Sequence, residues 1–310
     1  MSQPVIITTS IKEISMKKYA LVMALALAAS LAQADVAVYG KVRQYVNNDS
    51  VGTASGVTAL SNDTSRIGFR ATEKLANGLT ATAVIETSVL ADAPGATSVG
   101  DRESTIGLSN KLVGVRLGRA SHAYDSVIGA FSPVNDFGAS TGTTHTQPTS
   151  RLQNAVFGAV NVGPAAVRYD RGLSEVAGTS DVQATSIAAT FGRVAVGAAL
   201  HIVSGSDYNS VGASYDAGIA TVYGLWSEQK TAGATINTGK SVGVAVPVAG
   251  TALTVKGSYG QNTADTKSYN LQTTYAFSKN VFAHAVFRKE NAVLAANDRQ
   301  QFGVGLEYNF

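Results

Sequence analysis

The sequence predicts an all-β fold: a sixteen-stranded antiparallel transmembrane β-barrel. Three observations predict it. Side chains alternate between an apolar and a polar face along most of the chain, the period of two-faced strands. Short turns alternate with connections that are generally longer and polar, the layout of an up-and-down barrel, and an even strand number returns both ends to the turn side. A barrel of this width cannot be filled by side chains, so its charged face lines water and its apolar face meets lipid.

The first 34 residues stand apart. Met16, Lys17 and Lys18 form a basic start, Tyr19 to Leu31 an apolar run, and Ala32-Gln33-Ala34 a small-x-small cleavage site, so residues 16–34 read as an export signal and Asp35 as the mature N-terminus. Residues 1–15 carry no logic of their own and read as an extension ahead of the true start; the rival for the apolar run is a buried N-terminal helix. Removing residues 1–34 takes away Lys12, Lys17, Lys18 and Glu13, which lowers the formal net charge from +3 to +1. Nucleic acid is therefore not implied as a partner. The chain has no cysteine, so an exported protein of this composition depends on backbone pairing or a large core. Past residue 34 no segment approaches the roughly 18 continuous apolar residues of a membrane helix.

Strand candidates follow in order. Val36, Val38, Gly40 and Val42 oppose Ala37, Tyr39, Lys41 and Arg43; Ile67, Phe69 and Ala71 oppose Arg66, Gly68 and Arg70. Further strands are expected near 78–90, 100–111, 113–120, 151–161, 165–171, 182–191, 193–203, 206–216, 219–230, 238–247, 251–261, 266–277, 281–291 and 299–310. Turns fall at Ala76-Asn77-Gly78, Lys111-Leu112, Gly163-Pro164, Phe191-Gly192, Ala217-Gly218, Pro247 to Gly250 and Ser278-Lys279-Asn280. Longer connections are expected at 47–62, 91–99, 120–150, 172–181, 230–237 and 292–298. Lys74, Arg116, Arg168 and Lys256 join the charged parity, with Glu86, Glu103, His201, His284 and Glu290. Aromatic pairs at strand ends, Tyr275 and Phe277, Phe282 and Phe287, Tyr308 and Phe310, suit membrane-interface girdles. In 299–310, Phe302, Val304, Leu306, Tyr308 and Phe310 share one face and Gln301, Gly303, Gly305, Glu307 and Asn309 the other; alone, this could be an ordinary edge strand.

Several stretches resemble the trimeric general porins of beta-proteobacteria: "DVAVYGKV", "SRIGFRATEKLANGLTATAVIE", "GLSNKLVGVRLGRASHAYDSV", "YNLQTTYAFSKNVFAHA" and the terminal aromatic. The resemblance implies an outer-membrane homotrimer in which a long third loop, here 120–150, folds into the lumen and narrows it, carrying Asp125 and Asp136. It also implies that Arg66 and Arg70 match the family's "SRxGFR" wall and Arg116 and Arg119 its "GVxLGR" stretch, forming with Lys41 and Arg43 a basic ladder that faces the loop. Lys74 and Arg102 are placed near a rim. The terminal strand with Tyr308 and Phe310 is implied to pair with the first strand, close the barrel and be read by the insertion machinery.

The function expected is passive diffusion of ions and small hydrophilic solutes across the outer membrane, with a weak to moderate preference for anions. An enzyme is not expected: His122, His145, His201 and His284 show no metal-ligand spacing, no nucleophile-elbow context is present, and no cofactor is called for. A barrel hydrolase or protease, or an adhesin barrel, remains the rival reading.

Overall fold

The computed structural model describes residues 34–310 apart from 76–77, 91, 93–94, 96, 133, 135–144, 146–150 and 293. The export signal and the extension before it lie outside the described residues. Seventeen strand segments form one closed antiparallel sheet. β1 (Asp35–Val51) pairs on one side with β17 (Arg299–Asn309), from Lys41 opposite Asn309 to Val51 opposite Arg299. On its other side it pairs with both β2 (Val57–Asn62) and β3 (Arg66–Lys74).

These two segments are halves of one stave. Gln44 faces Asn62 and Lys41 faces Arg66, so Val42 and Arg43 lie opposite three residues, Asp63, Thr64 and Ser65. That single surplus residue is a β-bulge, with Thr64 at φ 56°. Ser65 seals it, its hydroxyl accepting from Arg43 N at 2.8 Å and donating to Arg43 O at 3.1 Å. With β2 and β3 counted as one, the barrel has sixteen staves, as the sequence predicts.

From β3 the chain climbs and descends through β4 (Thr80–Ser88), β5 (Glu103–Ser109), β6 (Val113–Ser121), β7 (Arg151–Val162), β8 (Ala165–Gly172) and β9 (Val182–Phe191). It continues through β10 (Val194–Val203), β11 (Ser206–Asp216), β12 (Thr221–Thr231), β13 (Ala234–Pro247), β14 (Leu253–Asn262), β15 (Lys267–Ala276) and β16 (Val281–Asn291). Each strand pairs with the next. Two expected connections come out shorter. The polar run after Val46 stays in β1 and pairs with β2, leaving only 52–56 as a connection, and 230–237 collapses to a hairpin turn at Ala232 (φ 49°) and Gly233 (φ 80°).

The apolar and polar faces are inverted relative to a water-soluble barrel. Phe69 is 49% exposed and Leu306 63%, whereas Lys41 is 8% and Arg43 6% exposed. Outward residues from β1 round to β17 form a continuous apolar band, far beyond the few hundred Å² that soluble proteins leave bare. Such a band belongs against hydrocarbon, and ring closure satisfies the backbone groups that lipid cannot. Phe310 completes the closure by exchanging backbone hydrogen bonds with Gly40 at 3.0 and 3.1 Å. Its ring lies over Gly40, where a Cβ would come within 2.7 Å of the ring edge, so only glycine admits it. Phe282 departs from the expected girdle. It pairs with the inward Glu307 and stacks on His284 at 6.3 Å, facing the lumen.

Candidate functional site

The inner wall is built by the even spacing of charged residues on one parity. On β1 and β3, Lys41 and Arg66 are direct cross-strand partners, and the aromatic ring of Tyr39 covers Gly68 between them and Arg70. The Arg70 guanidinium sits 5.3 Å from the Tyr39 ring centroid, with no carboxylate within 4 Å among the described residues. The other cations have acidic neighbours. Glu307 on β17 lies 3.9 Å from Lys41 and is hydrogen-bonded by the Arg43 Nε, while Asp63, turned inward by the bulge, takes Arg43 NH1 at 2.8 Å. Glu86 lies 3.4 Å from Arg66 and 2.7 Å from Arg102. Arg116 bonds Glu103 at 2.8 Å and stands 5.3 Å from the Phe157 ring.

Opposite this wall lies α1 (Ala123–Phe131), the first part of the long connection. His122 caps it, its Nδ1 accepting from Asp125 N at 3.3 Å, and Asp125 in the first turn suits the positive end of the helix. Asp170 on β8 accepts the Ala123 N–H as well. Ala123, Tyr124, Val127, Ile128 and Phe131, at helical spacing, pack on Ala184, Ala199 and Leu225 of β9, β10 and β12. Those wall residues share the inward parity of Ser186, His201 and Ser227. Burying each large side chain is worth about 1.5–3 kcal/mol, so the helix is fixed to the wall. The wall is small-residued because the helix needs the space: a Cβ on Gly212 would come within 2.3 Å of the Phe131 ring, and one on Gly197 within 2.8 Å.

Two more described residues of the connection are pinned to the inner wall. Val134 is fully buried against Tyr45 on β1 and Val286 on β16. His145 bridges Ser227 on β12 at 2.9 Å and Ser241 on β13 at 2.8 Å, and burial pushes its imidazole down to about 4.

A family model for Gram-negative porins matches residues 20–292 of the chain. The chain belongs to the Gram-negative porin family. It is 28% identical over 332 aligned positions to outer membrane porin protein 32 of Delftia acidovorans, covering 93% of this chain and 92% of that one. It is 30% identical to the major outer membrane protein P.IA of Neisseria meningitidis serogroup B, over 45% of this chain and 39% of that one. Among solved structures, a loop-deleted OmpT of Vibrio cholerae superposes with a TM-score of 0.73 at 16% identity, covering 89% of this chain and 99% of that one. OmpF of Salmonella typhi, solved with daunomycin, gives 0.71 at 18% identity, covering 89% and 97%. At those identities the structures speak for the fold alone. This porin is accordingly an outer-membrane channel protein and not an enzyme.

Of the basic residues singled out from the sequence, the porin brings Lys41, Arg43, Arg66, Arg70 and Arg116 onto one inward face. Arg119 is not among them. It lies opposite Ser104, on the parity of the exposed Leu117, beside a register shift in β6, and bonds Asp101 O at 2.7 Å and Gln153 at 3.1 Å near the rim. Arg119 is three positions on from Arg116, an odd offset that in a strand puts them on opposite faces. Arg102, placed at a rim by the sequence reading, directly precedes β5 at the loop-side end of the barrel, and from there it shares Glu86 with Arg66. Asp125 lies within electrostatic reach of Arg151, a residue the sequence reading did not single out, and Asp136 lies outside the described residues. His201 is packed among His122, Tyr124 and Tyr208. A signal that could have located the helix is the inward run of small residues on β9–β12, which leaves room on that wall.

Proposed function

We propose that this porin passes ions and small hydrophilic solutes by passive diffusion, with a weak to moderate preference for anions. The observation that carries the preference is the inward wall of Lys41, Arg43, Arg66, Arg70 and Arg116, in which Arg70 is without a carboxylate neighbour among the described residues. A fixed positive excess on a water-filled wall raises the local anion concentration within about 10 Å at 0.1 M salt. The preference is modest because Glu86, Glu103, Asp63 and Glu307 stand among the same cations.

In this reading residues 120–150 form the constriction, with α1 held on one wall and Asp125 and Asp136 contributing negative charge to the loop. Arg119 acts at the rim rather than in the ladder. The working form is a homotrimer; OmpT of Vibrio cholerae, of the same fold, has been solved in a trimer form. Residues 16–34 direct export and are removed before Asp35, and the closing strand with Tyr308 and Phe310 is read by the insertion machinery. The zero-current potential of the purified protein in a salt gradient tests the selectivity. A potential of the sign set by anions supports it, and one set by cations overturns it.

A further inference from the structure

On the turn side of α1 the inner wall holds a cavity of about 430 Å³, bounded by one member of the basic ladder, Arg116, and by a cation outside it, Arg168. Two neighbouring cross-strand rows build it. Arg116, Phe157 and Asp170 face one another in turn on β6, β7 and β8. One step nearer the short turns, Gly114, Ala159 and Arg168 do the same on those strands. The second row is therefore a trough of small residues closed at one end by an arginine. Strand geometry puts the Cα atoms of Arg116 and Arg168 about 12 Å apart, with Ala159 on the strand between them.

The two arginines offer different chemistry. Arg168 is exposed and forms no ion pair among the described residues. Asp170 beside it is 3% exposed and accepts the Ala123 N–H of α1, so it meets the helix rather than a solute. Arg116 lies across its neighbour on β5: a Cβ on Gly107 would come within 2.7 Å of the Arg116 side chain, and glycine leaves that space. Its guanidinium bonds Glu103 at 2.8 Å and stands 5.3 Å from the Phe157 ring centroid. Phe157 is 3% exposed, whereas the Arg116 side chain is 43% exposed, so the planar surface presented to the cavity is the guanidinium, backed by the ring. A guanidinium whose charge is already met by a carboxylate still stacks on aromatic faces. Arg168 is thus the group that receives a charge, and Arg116 the group that receives a plane.

We propose that this cavity binds an aromatic monocarboxylate, a single flat ring bearing one carboxylate, as a solute of the channel. The carboxylate meets Arg168 through paired charge-assisted hydrogen bonds, and the ring lies over Gly114 and Ala159 against the open face of Arg116. One carboxylate suffices, because Glu103 already answers Arg116. The volume is in the range of small-molecule sites, with room for such a ring and its water. The assignment deepens the channel reading and rests on it for access to the lumen, but it does not require the barrel to prefer anions in general.

The test is equilibrium dialysis of labelled benzoate against the purified barrel in detergent, with detergent alone as the blank. Cyclohexanecarboxylate, of the same charge but without the flat ring, is the comparison probe. Wild type is expected to bind benzoate saturably and about fivefold more tightly than cyclohexanecarboxylate, the factor that about 1 kcal/mol of guanidinium–ring contact represents. Arg168→Gln should weaken both probes about tenfold or more, and Arg168→Lys should keep most of the binding. Arg116→Lys keeps the charge and loses the plane, so it should bring the two probes to equal affinity. Lys256→Gln, which removes a lumenal charge from β14, should change neither. Equal affinity of the two probes for wild type, undiminished binding by Arg168→Gln, or the same loss in Lys256→Gln overturns the proposal. Conductance in potassium chloride is read separately. Binding without conductance would break the channel reading and leave the site standing, whereas conductance without binding would break the site alone.

Discussion

Replacing Arg66 and Arg70 together by alanine is expected to move ion selectivity toward cations. Both lie on the inward face of β3, opposite Lys41 and Val84. Glu86 keeps Arg102 when Arg66 is lost, and Arg70 leaves behind only the Tyr39 ring, so no carboxylate is stranded. The wall loses charge without losing structure. An ion passing about 10 Å from a unit charge in water feels ~0.4 kcal/mol, which screening at 0.1 M salt reduces to ~0.15 kcal/mol. Two charges give ~0.3 kcal/mol, opposite in sign for anion and cation, and the anion-to-cation permeability ratio should fall about threefold. Zero-current potentials in a tenfold salt gradient read this directly. At 1 M salt, where screening shortens to about 3 Å, the difference between variant and wild type should disappear. An unchanged ratio at low salt would refute the electrostatic role of these arginines, and a shift that persists at 1 M would mean that pore width had changed instead.

The remaining expectations concern the loop and the closing strand. A His145 imidazole held near 4 is neutral when clamped between Ser227 and Ser241 but takes up a proton near 6.5 once released, so the clamp is fully present above 6.5 and is lost as pH falls toward 4. The weakening is on the order of 3 kcal/mol, visible as greater protease sensitivity of the loop at pH 4.5 than at 7.5, and His145→Ala should abolish that pH dependence. Gly212→Ala forces the Phe131 ring from its seat at a cost of about 1–3 kcal/mol, and in a Phe131→Ala background the same change should cost little in thermal unfolding; an undiminished cost there would show that the ring is not what the glycine accommodates. Replacing Phe310 by aspartate puts a charge on the lipid face beside Gly40 and should lower the yield of heat-modifiable barrel in the outer membrane, whereas a normal yield would remove the residue from the assembly signal.

The barrel was legible because alternation is a local property: Val36, Val38 and Val42 against Tyr39, Lys41 and Arg43 already state which face meets lipid. The bulge at Asp63–Ser65 was not, since it depends on how two halves of a stave register on β1 rather than on either half alone. The reach of Arg102 to Glu86 from the end of a connection was not legible either, whereas the offset of three from Arg116 already sets Arg119 on the other face. Pairing across the barrel's closing seam was invisible for a further reason. Glu307 meets Arg43 only because the first and last strands are neighbours in the closed ring, 264 positions apart in sequence. The seat of α1 was written in Ala184, Gly197, Ala199 and Gly212, but small residues at alternate positions say that something packs there, not which segment does.

The central claim is that the barrel encloses a continuous aqueous path. Single-channel recording of the purified protein in a planar bilayer tests it most directly. Discrete conductance steps that rise in proportion to salt concentration without saturating are expected of such a water-filled pore. Insertion without conductance, or a conductance that saturates at a low salt concentration as binding-limited transport does, would contradict it.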